Sequence, residues 1–455
     1  MSHARVIFAG TSSGSGKTAA VCAVLSLLKR RGIKARSCKC GPDYIDPMFH
    51  RSVLGIPSSN LDPFFCDTDL LRYLSQNCGE DTVTVIEGVM GYYDGTGEDG
   101  TDNSTYTVAS KTETPVILIV NAKGAAVSLL AAVEGFLNYR SDSNIAGVLF
   151  SRMSPMNYKN VSGLMKKRFG DRIVPVGYIP ELPEECLIPS RHLGLITADE
   201  IDDLSQRLGK AADLCEGTID IDAVLKIAGQ ADDPDFKTPE IPKLPGIKLA
   251  VAKDDAFCFS YDDTEALLRK MGAQLEYFSP LADQPVPEGA DGLLLPGGYP
   301  ELHAEELERN GISKQSVRAA IESGMPTIAE CGGFQYLGEK LAGRRMCGVL
   351  PHESFDTGKL VRFGYATITA NESGLLGEKG TRIRIHEFHY WDSTENGSAF
   401  HAEKPSGRSW ECGVMTDTLY AGYPHLYLMS CIPAAEAFYR KCIEYKKTRR
   451  RTDDH

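Results

Sequence analysis

Val6-Ile7-Phe8-Ala9-Gly10-Thr11-Ser12-Ser13-Gly14-Ser15-Gly16-Lys17-Thr18 runs from apolar residues straight into a loop of glycines and hydroxyls that ends in lysine and threonine. By pattern, residues 4–10 read as a buried strand, Gly10 to Lys17 as a glycine-rich turn, and Thr18 to Arg31 as a helix closed by Gly32. Strand, loop and helix in that order open an α/β unit. A loop of this kind suits phosphate. Glycines let backbone N–H groups face phosphate oxygens, the helix N-terminus adds positive potential, Lys17 reaches the β- and γ-phosphates, and Thr18 can ligate Mg²⁺. Gly10, Thr11, Ser12, Ser13, Gly14, Ser15, Gly16, Lys17 and Thr18 are therefore candidate ATP-binding residues. The strict Gly-x4-Gly-Lys spacing is not met, because Thr11 stands where the first glycine belongs and Gly10 lies one residue early.

Further strands are expected at Thr82–Glu87, Val116–Asn121 and Ile145–Phe150, with a helix over Val127–Asn138 between the last two. Strands alternating with helices predict a mostly parallel, doubly wound sheet. Two acidic clusters fall in the turns of this region. Lys39-Cys40-Gly41-Pro42-Asp43-Tyr44-Ile45-Asp46-Pro47 holds two aspartates three residues apart, and Glu87-Gly88-Val89-Met90-Gly91-Tyr92-Tyr93-Asp94-Gly95 puts an acid at a strand end and another seven residues on. Mg²⁺ prefers carboxylate and phosphate oxygens, so acids at the carboxyl edge of such a sheet suit it. Either cluster alone is ordinary turn chemistry; beside a phosphate loop they favour ATP-dependent chemistry.

At Gly229–Gly246 the chain turns acidic and proline-rich, which reads as a linker between a first domain over residues 1–228 and a second over 247–455. The second begins with a strand at Ile247–Ala252, continues through a helix near Asp262–Met271, and reaches a strand at Gly292–Leu295 before Pro296-Gly297-Gly298. It contains Pro326-Thr327-Ile328-Ala329-Glu330-Cys331-Gly332-Gly333-Phe334, an apolar run that breaks into a cysteine and two glycines. A strand ending in a sharp turn before a helix displays the turn side chain, and the turn N–H groups can meet an oxyanion. Cys331 is thus a candidate nucleophile; the plainer reading is a buried free cysteine at a strand end.

At 455 residues, with 42% hydrophobic and 24% charged residues, the chain reads as a globular protein of two or three domains. No window approaches the roughly 18 to 20 apolar residues that cross a bilayer. Met1-Ser2-His3-Ala4-Arg5 leads into a strand with no signal-peptide pattern, and thirteen irregularly spaced cysteines suit a reducing cytosol, so the protein is expected to be cytoplasmic. A net charge of −12 argues against a nucleic-acid surface. Cys38-Lys39-Cys40 reads as two strand cysteines rather than a metal site, and the basic stretch Lys446-Lys447-Thr448-Arg449-Arg450-Arg451 as a frayed, solvated terminus. His386-Glu387-Phe388-His389 lacks the His-Glu-x-x-His spacing of a helical zinc site.

The loop at 10–18 resembles that of dethiobiotin synthetase and its relatives, and Ser12 replaces the signature lysine of partition-type ATPases. Ten ordered segments extend the likeness over nearly the whole chain. They are residues 10–18, Lys39–Pro47, Asn60–Pro63, Glu87–Gly95, Arg191–Leu195, Ala250–Tyr261, Leu295–Glu301, Glu330–Gly333, His386–Tyr390 and Pro424–Leu426. Together they resemble the cobyrinic acid a,c-diamide synthase family, glutamine-dependent amidotransferases of corrinoid biosynthesis.

The resemblance implies a dethiobiotin synthetase-like P-loop NTPase domain followed by a class I glutamine amidotransferase-like α/β domain. It implies that Cys331 attacks the glutamine carboxamide with His425 as its base, that Gly298 and Gly332 supply oxyanion contacts, and that the released ammonia meets a carboxylate activated by MgATP as an acyl phosphate. Thr18, Asp43 and Glu87 are the implied metal contacts. Asp46, Asp94, Tyr44, Arg191 and His192 are implied around the acyl phosphate or the corrinoid. Many class I glutaminases place an acid two residues after the histidine, where this chain has Tyr427; the family lacks that acid too, which leaves the orienting partner of His425 open. The expected partners are ATP, L-glutamine and a tetrapyrrole carboxylate, with Mg²⁺ as cofactor, no nucleic acid and no membrane. The oligomeric state is open, a homodimer included. The ring is also open, since relatives use hydrogenobyrinic acid or nickel-sirohydrochlorin, while cobyric acid synthase amidates other carboxylates. The reading from a different class is a nucleotide-binding regulatory protein with a decayed glutaminase domain, which intact Cys331, His425, Lys17 and Glu87 oppose.

Overall fold

A computed structural model of the chain describes residues 3–186 and 198–453. It divides into two compact units, Met1–Pro239 and Glu240–His455, and the division falls inside the proline-rich 229–246 stretch.

The first unit is built on seven parallel strands: β1 (Arg5–Gly10), β2 (Ala35–Cys40), β3 (Ser58–Leu61), β4 (Val83–Glu87), β5 (Val116–Asn121), β6 (Ile145–Ser151) and β7 (Val174–Ile179). Their spatial order is β3-β2-β4-β1-β5-β6-β7, with every pairing parallel. All six residues of β1 are buried, as a strand covered on both faces requires. Helix α1 (Lys17–Arg30) sets Val21, Val24, Leu25 and Leu28 in one core with Val6 and Phe8 of β1. The remaining helices are α2 (Ile45–Ser52), α3 (Thr68–Gln76), α4 (Thr105–Thr112), α5 (Ser128–Tyr139), α6 (Pro155–Phe169), α7 (Ala198–Cys215) and α8 (Ile221–Ala228). The loop after β1 and the turns after β2 and β4 emerge from the same carboxyl edge. There β1 lies between β4 and β5, and chain crossovers leave in both directions, the usual ligand crevice of such sheets.

The start of the expected linker is not loose. Arg5, fully buried, donates to Thr114 Oγ1 (3.0 Å), the Thr112 carbonyl (2.9 Å), the Asp232 carbonyl and Asp233 Oδ1 (2.8 Å). Gln76 and Arg72 bond the carbonyls of Pro234 and Asp235, so residues 232–235 are strapped to the first unit.

In the second unit, β8 (Ile247–Ala252), β9 (Ala273–Phe278), β10 (Gly292–Leu295) and β11 (Thr327–Glu330) form a parallel sheet in the order β9-β8-β10-β11. Strand Leu419–Gly422 joins β11 in parallel, and Val414–Met415 pairs antiparallel at its edge. Its first helices are α9 (Asp262–Met271), α10 (Ala304–Arg309), α11 (Gly311–Glu322) and α12 (Gly332–Leu337).

Two further sheets, not expected from the pattern, occupy the stretch after α12. One is five-stranded and antiparallel, centred on Arg362–Ala370 and Arg382–His389, and takes His425–Leu426 as its edge; the other is a small mixed sheet of four short strands. In Arg382–His389 the arginines at 382 and 384 are exposed and Ile383 and Ile385 buried, a period-two pattern.

The last helix, α13 (Ile432–Asp453), corrects the expectation of a frayed basic tail. Lys446 and Arg449 reach the buried carboxylate of Asp291 at 3.3 and 2.9 Å. Among the described residues no helix is long and apolar enough to cross a membrane.

Candidate active sites

The phosphate loop is shaped by close approach. A Cβ on Gly10 would lie 2.1 Å from Ser15 Oγ and 3.1 Å from Lys17 Nζ, so only glycine lets the loop fold back over the end of β1. Gly16 caps α1 at φ 96, and Lys17 and Thr18 follow as the first two helical residues. Lys17 Nζ donates to the carbonyls of Ser12 (3.2 Å) and Met90 (2.5 Å), neutral acceptors that keep its charge available to an anion. Burial, then the nearby Lys39 ammonium, hold its pKa below the usual lysine value. Ser151, at the end of β6, donates to the Ser15 carbonyl at 2.7 Å and props the loop from beneath.

Beside the loop lies a buried charge network that brings together most of the acids expected there. Thr18 Oγ1 donates to Glu87 Oε1 at 2.7 Å, and Lys39 Nζ sits 2.9 Å from the same oxygen and 2.6 Å from Asp46 Oδ2. Burial, then the Asp46 carboxylate, push Glu87 up to about 7 against the opposing pull of Lys39. Asp43 accepts the Ile45 N–H at 2.8 Å; burial and the Asp46 charge push it up to about 6. Burial alone would raise Asp46 as well, but the Lys39 contact outweighs it and holds that carboxyl below its ordinary range. Burial likewise works against the Lys39 charge, and Asp46 and Glu87 overcome it, raising Lys39 well above its ordinary value.

Lys39 is the residue the sequence reading missed. Its alternation on β2 between Cys38 and Cys40, both buried, was the available signal. Asp94 accepts the Gly91 N–H at 2.8 Å, close enough for its charge to act on Lys17, and Tyr44 stands at the N-terminus of α2. Arg191 and His192 lie outside the described residues.

No cluster of three or more His, Cys, Asp or Glu side chains fit to hold a metal occurs among the described residues. Mg²⁺ needs none when phosphate and water supply most of its ligands. The groups present fit it. The Thr18 hydroxyl and Glu87 carboxylate are in contact, Glu87 Oε2 is buried without a hydrogen-bond partner, and burial and the Asp46 charge raise Asp43 to about 6.

In the second unit Cys331 closes β11 and opens α12 at φ 47 and ψ −101, a backbone region that costs a non-glycine residue about 1–3 kcal/mol. Its N–H is fixed to the Gly422 carbonyl at 2.7 Å. A Cβ at Gly297 would lie 2.4 Å from His425 Cε1 and 3.4 Å from Cys331 Cβ, so cysteine and histidine meet across a glycine that cannot be enlarged. Gly298 N lies 3.0 Å from where a Gly332 Cβ would stand, which makes those two backbone segments neighbours beside the thiol. Burial, then the Glu301 carboxylate, raise the Cys331 thiol far above its ordinary value, so the resting group is a thiol and needs a base. Glu301 itself is pushed up to about 7 by burial.

Tyr427, two residues after His425, turns its hydroxyl to Asp263 Oδ2 at 2.9 Å. An acid beside the ring is instead Glu330, whose Oε2 lies 3.7 Å from His425 Nδ1 and whose sequence position gave no hint of it. His386 and His389 stand on a strand, and His389 Nδ1 is 2.6 Å from the Trp391 carbonyl while its ring stacks on Tyr423.

The CobB/CobQ-like glutamine amidotransferase domain family matches residues 248–431, which include Cys331 and His425. Curated relatives extend the likeness to the phosphate loop. The cobyrinate a,c-diamide synthase of Priestia megaterium is 36% identical over 99% of this chain and 99% of its own. That of Listeria monocytogenes serotype 4b (strain F2365) is 38% identical over 93% and 96%, and that of Thermoplasma volcanium 36% over 98% of each. Full-length identity across both sites places the chain in one family: it belongs to the cobyrinate a,c-diamide synthases, glutamine-hydrolysing ligases.

Proposed function

We propose that this protein uses ATP and glutamine to amidate the a and c acetate side chains of cobyrinic acid. The observation that carries this reading is the presence in one chain of a phosphate loop beside a buried Lys39–Asp46–Glu87 network and of Cys331 facing His425 across Gly297. Neither site suffices alone. A carboxylate resists direct amidation because oxide is a poor leaving group, and free ammonia is scarce as ammonia at neutral pH.

In the glutaminase unit His425 takes the Cys331 proton as sulfur attacks the glutamine carboxamide, and the N–H groups of Gly298 and Gly332 receive the oxyanion. Collapse releases ammonia and leaves a thioester, which water hydrolyses to glutamate. In the synthetase unit residues 10–18 bind ATP, with Lys17 on the β- and γ-phosphates. A cavity of 620 Å³ lined by Arg152, Ser154, Asn157 and Glu181 follows the end of β6, whose last residue Ser151 bonds the loop, and is proposed to take the nucleoside. Transfer of the γ-phosphoryl group to the ring carboxylate gives an acyl phosphate and ADP; ammonia displaces phosphate to form the amide. Thr18, Glu87 and Asp43 would hold Mg²⁺, which when bound neutralises phosphate charge. Asp46, Asp94, Tyr44, Arg191 and His192 are proposed to meet the ring carboxylate or the acyl phosphate. Thirteen unpaired cysteines suit the reducing cytoplasm.

Cys331→Ser tests the division of labour. It should lower glutamine-supported amidation at least about 10³-fold while activity with high ammonia survives. Mass spectrometry of products from cobyrinic, hydrogenobyrinic and nickel-sirohydrochlorin substrates with MgATP and glutamine should show two amides on cobyrinic acid. Two amides on another ring alone would reject the substrate, and no amide on any ring would reject the activity.

A further inference from the structure

Resting on the glutaminase reading above, we infer that Glu330 is the positioning residue of the Cys331–His425 pair, an acid supplied by the residue before the nucleophile. Glu330 Oε2 lies 3.7 Å from His425 Nδ1, and Glu330 Oε1 accepts the Leu426 N–H at 3.0 Å. One carboxylate therefore holds the backbone just after His425 and stands beside its ring. Glu330 ends β11, whose neighbour Leu419–Gly422 runs into Pro424 and His425 and is registered Glu330 to Gly422. Nucleophile, acid and base are thus tied together by adjacent strand ends.

The site is nearly dry. The side chain of Glu330 is 13% exposed and that of His425 4%, so a charge at this distance acts with little screening. When the ring takes the thiol proton, positive charge develops beside the carboxylate, which stabilises the imidazolium and favours its orientation. Around His425 stand Glu330 from β11, His386 directly across on Arg382–His389, and Cys331 across Gly297; Glu301 and Glu387 lie farther out toward the thiol. His386 is held neutral by burial, which drives its pKa down to about 3, so it offers no competing charge in the working range. The position where an acid is otherwise expected, Tyr427, is occupied with Asp263.

Glu330→Gln keeps the shape and the Leu426 acceptor but removes the charge. With full-length protein, glutamine-supported kcat should fall about 10- to 100-fold with KM for glutamine unchanged. Ammonia-supported amidation should stay at the wild-type level and certifies the fold. Glu330→Asp, which restores the charge at a longer reach, should recover part of kcat. An unchanged glutamine-supported kcat in Glu330→Gln, or a fall matched by an equal loss of ammonia-supported activity, overturns the inference. Should that variant not fold, Glu330→Asp decides: a lowered glutamine-supported kcat with ammonia-supported activity intact supports the inference and unchanged kinetics overturn it. If Cys331→Ser retains glutamine-supported turnover, the glutaminase reading itself fails, a separate outcome.

Discussion

The two candidate sites solve opposite electrostatic problems. Around the phosphate loop the first unit buries Lys17, Lys39, Glu87, Asp43 and Asp46 together, and their displaced proton affinities record charges gathered before any ligand neutralises them. Around Cys331 the second unit relies on geometry: a turn residue at φ 47, a glycine with no room for a Cβ, and a thiol kept protonated by burial. The first arrangement suits binding a polyanion and its counter-ion. The second suits creating charge only at the moment of reaction, as the proposed nucleophile role of Cys331 requires.

The sharpest way to break this contrast is to remove one charge from the first site. Lys17→Ala takes away the ammonium that the loop leaves for phosphate. Amidation should fall at least about 10²–10³-fold with glutamine and with ammonia alike, the size of effect seen when one preorganised electrostatic donor is lost. Cys331→Ser should lose only the glutamine-supported reaction. Steady-state amidation with each nitrogen source separates the two, and survival of the ammonia reaction in Lys17→Ala would mean that the first unit does not activate the carboxylate through this loop.

A gentler test reads the stored charge itself. Glu87 titrates near 7 in the fold against an ordinary 4.5, so the folded state holds its proton more tightly than the unfolded chain. The stabilisation this gives is complete below about 4.5 and is lost as pH rises through about 7. Glu87→Gln fixes the neutral form. Thermal unfolding without nucleotide should find the variant similar to wild type near pH 4.5 and increasingly more stable than wild type as pH rises from about 4.5 to about 7, the gap then staying constant, even though it is impaired in amidation. A difference in Tm that does not change with pH would show that Glu87 is not under electrostatic stress.

How much of this the sequence disclosed follows from how local each feature is. The phosphate loop and the Cys331 turn are continuous stretches in which apolar strand residues run into glycines, and both were legible down to the strand limits at Val116–Asn121, Ile247–Ala252 and Gly292–Leu295. The partnership of Lys39 with Asp46 and Glu87 depends on β2 lying next to β4, a long-range fact no periodicity records. Glu330 was hidden for the same reason: its contact with His425 spans nearly a hundred residues and is made by parallel pairing of β11 with Leu419–Gly422. The antiparallel sheet after α12 escaped although its central strands, Arg362–Ala370 and Arg382–His389, are long and the latter alternates, because its other strands have four residues or fewer and its edge, His425–Leu426, pairs across a long stretch of sequence.

The smallest effect bears on the other half of the contrast, that buried charge in the second unit serves the scaffold. Asp291, at the entrance of β10, is 1% exposed and accepts the Lys248 N–H at 2.9 Å besides pairing with Lys446 and Arg449 of α13. Arg449 is the outermost of these, and its removal leaves the carboxylate two donors. Arg449→Ala should therefore cost about 1 kcal/mol, since a partly exposed pair is screened and its acceptor stays satisfied. For a unit of this size that lowers Tm by about 2–4 °C. Neither nitrogen source should change its kcat or KM, because the contact anchors a helix and touches no reacting group. A change in glutamine kinetics would instead tie α13 to the nucleophile turn through β10, and the separation of catalytic from structural charge in this unit would no longer hold.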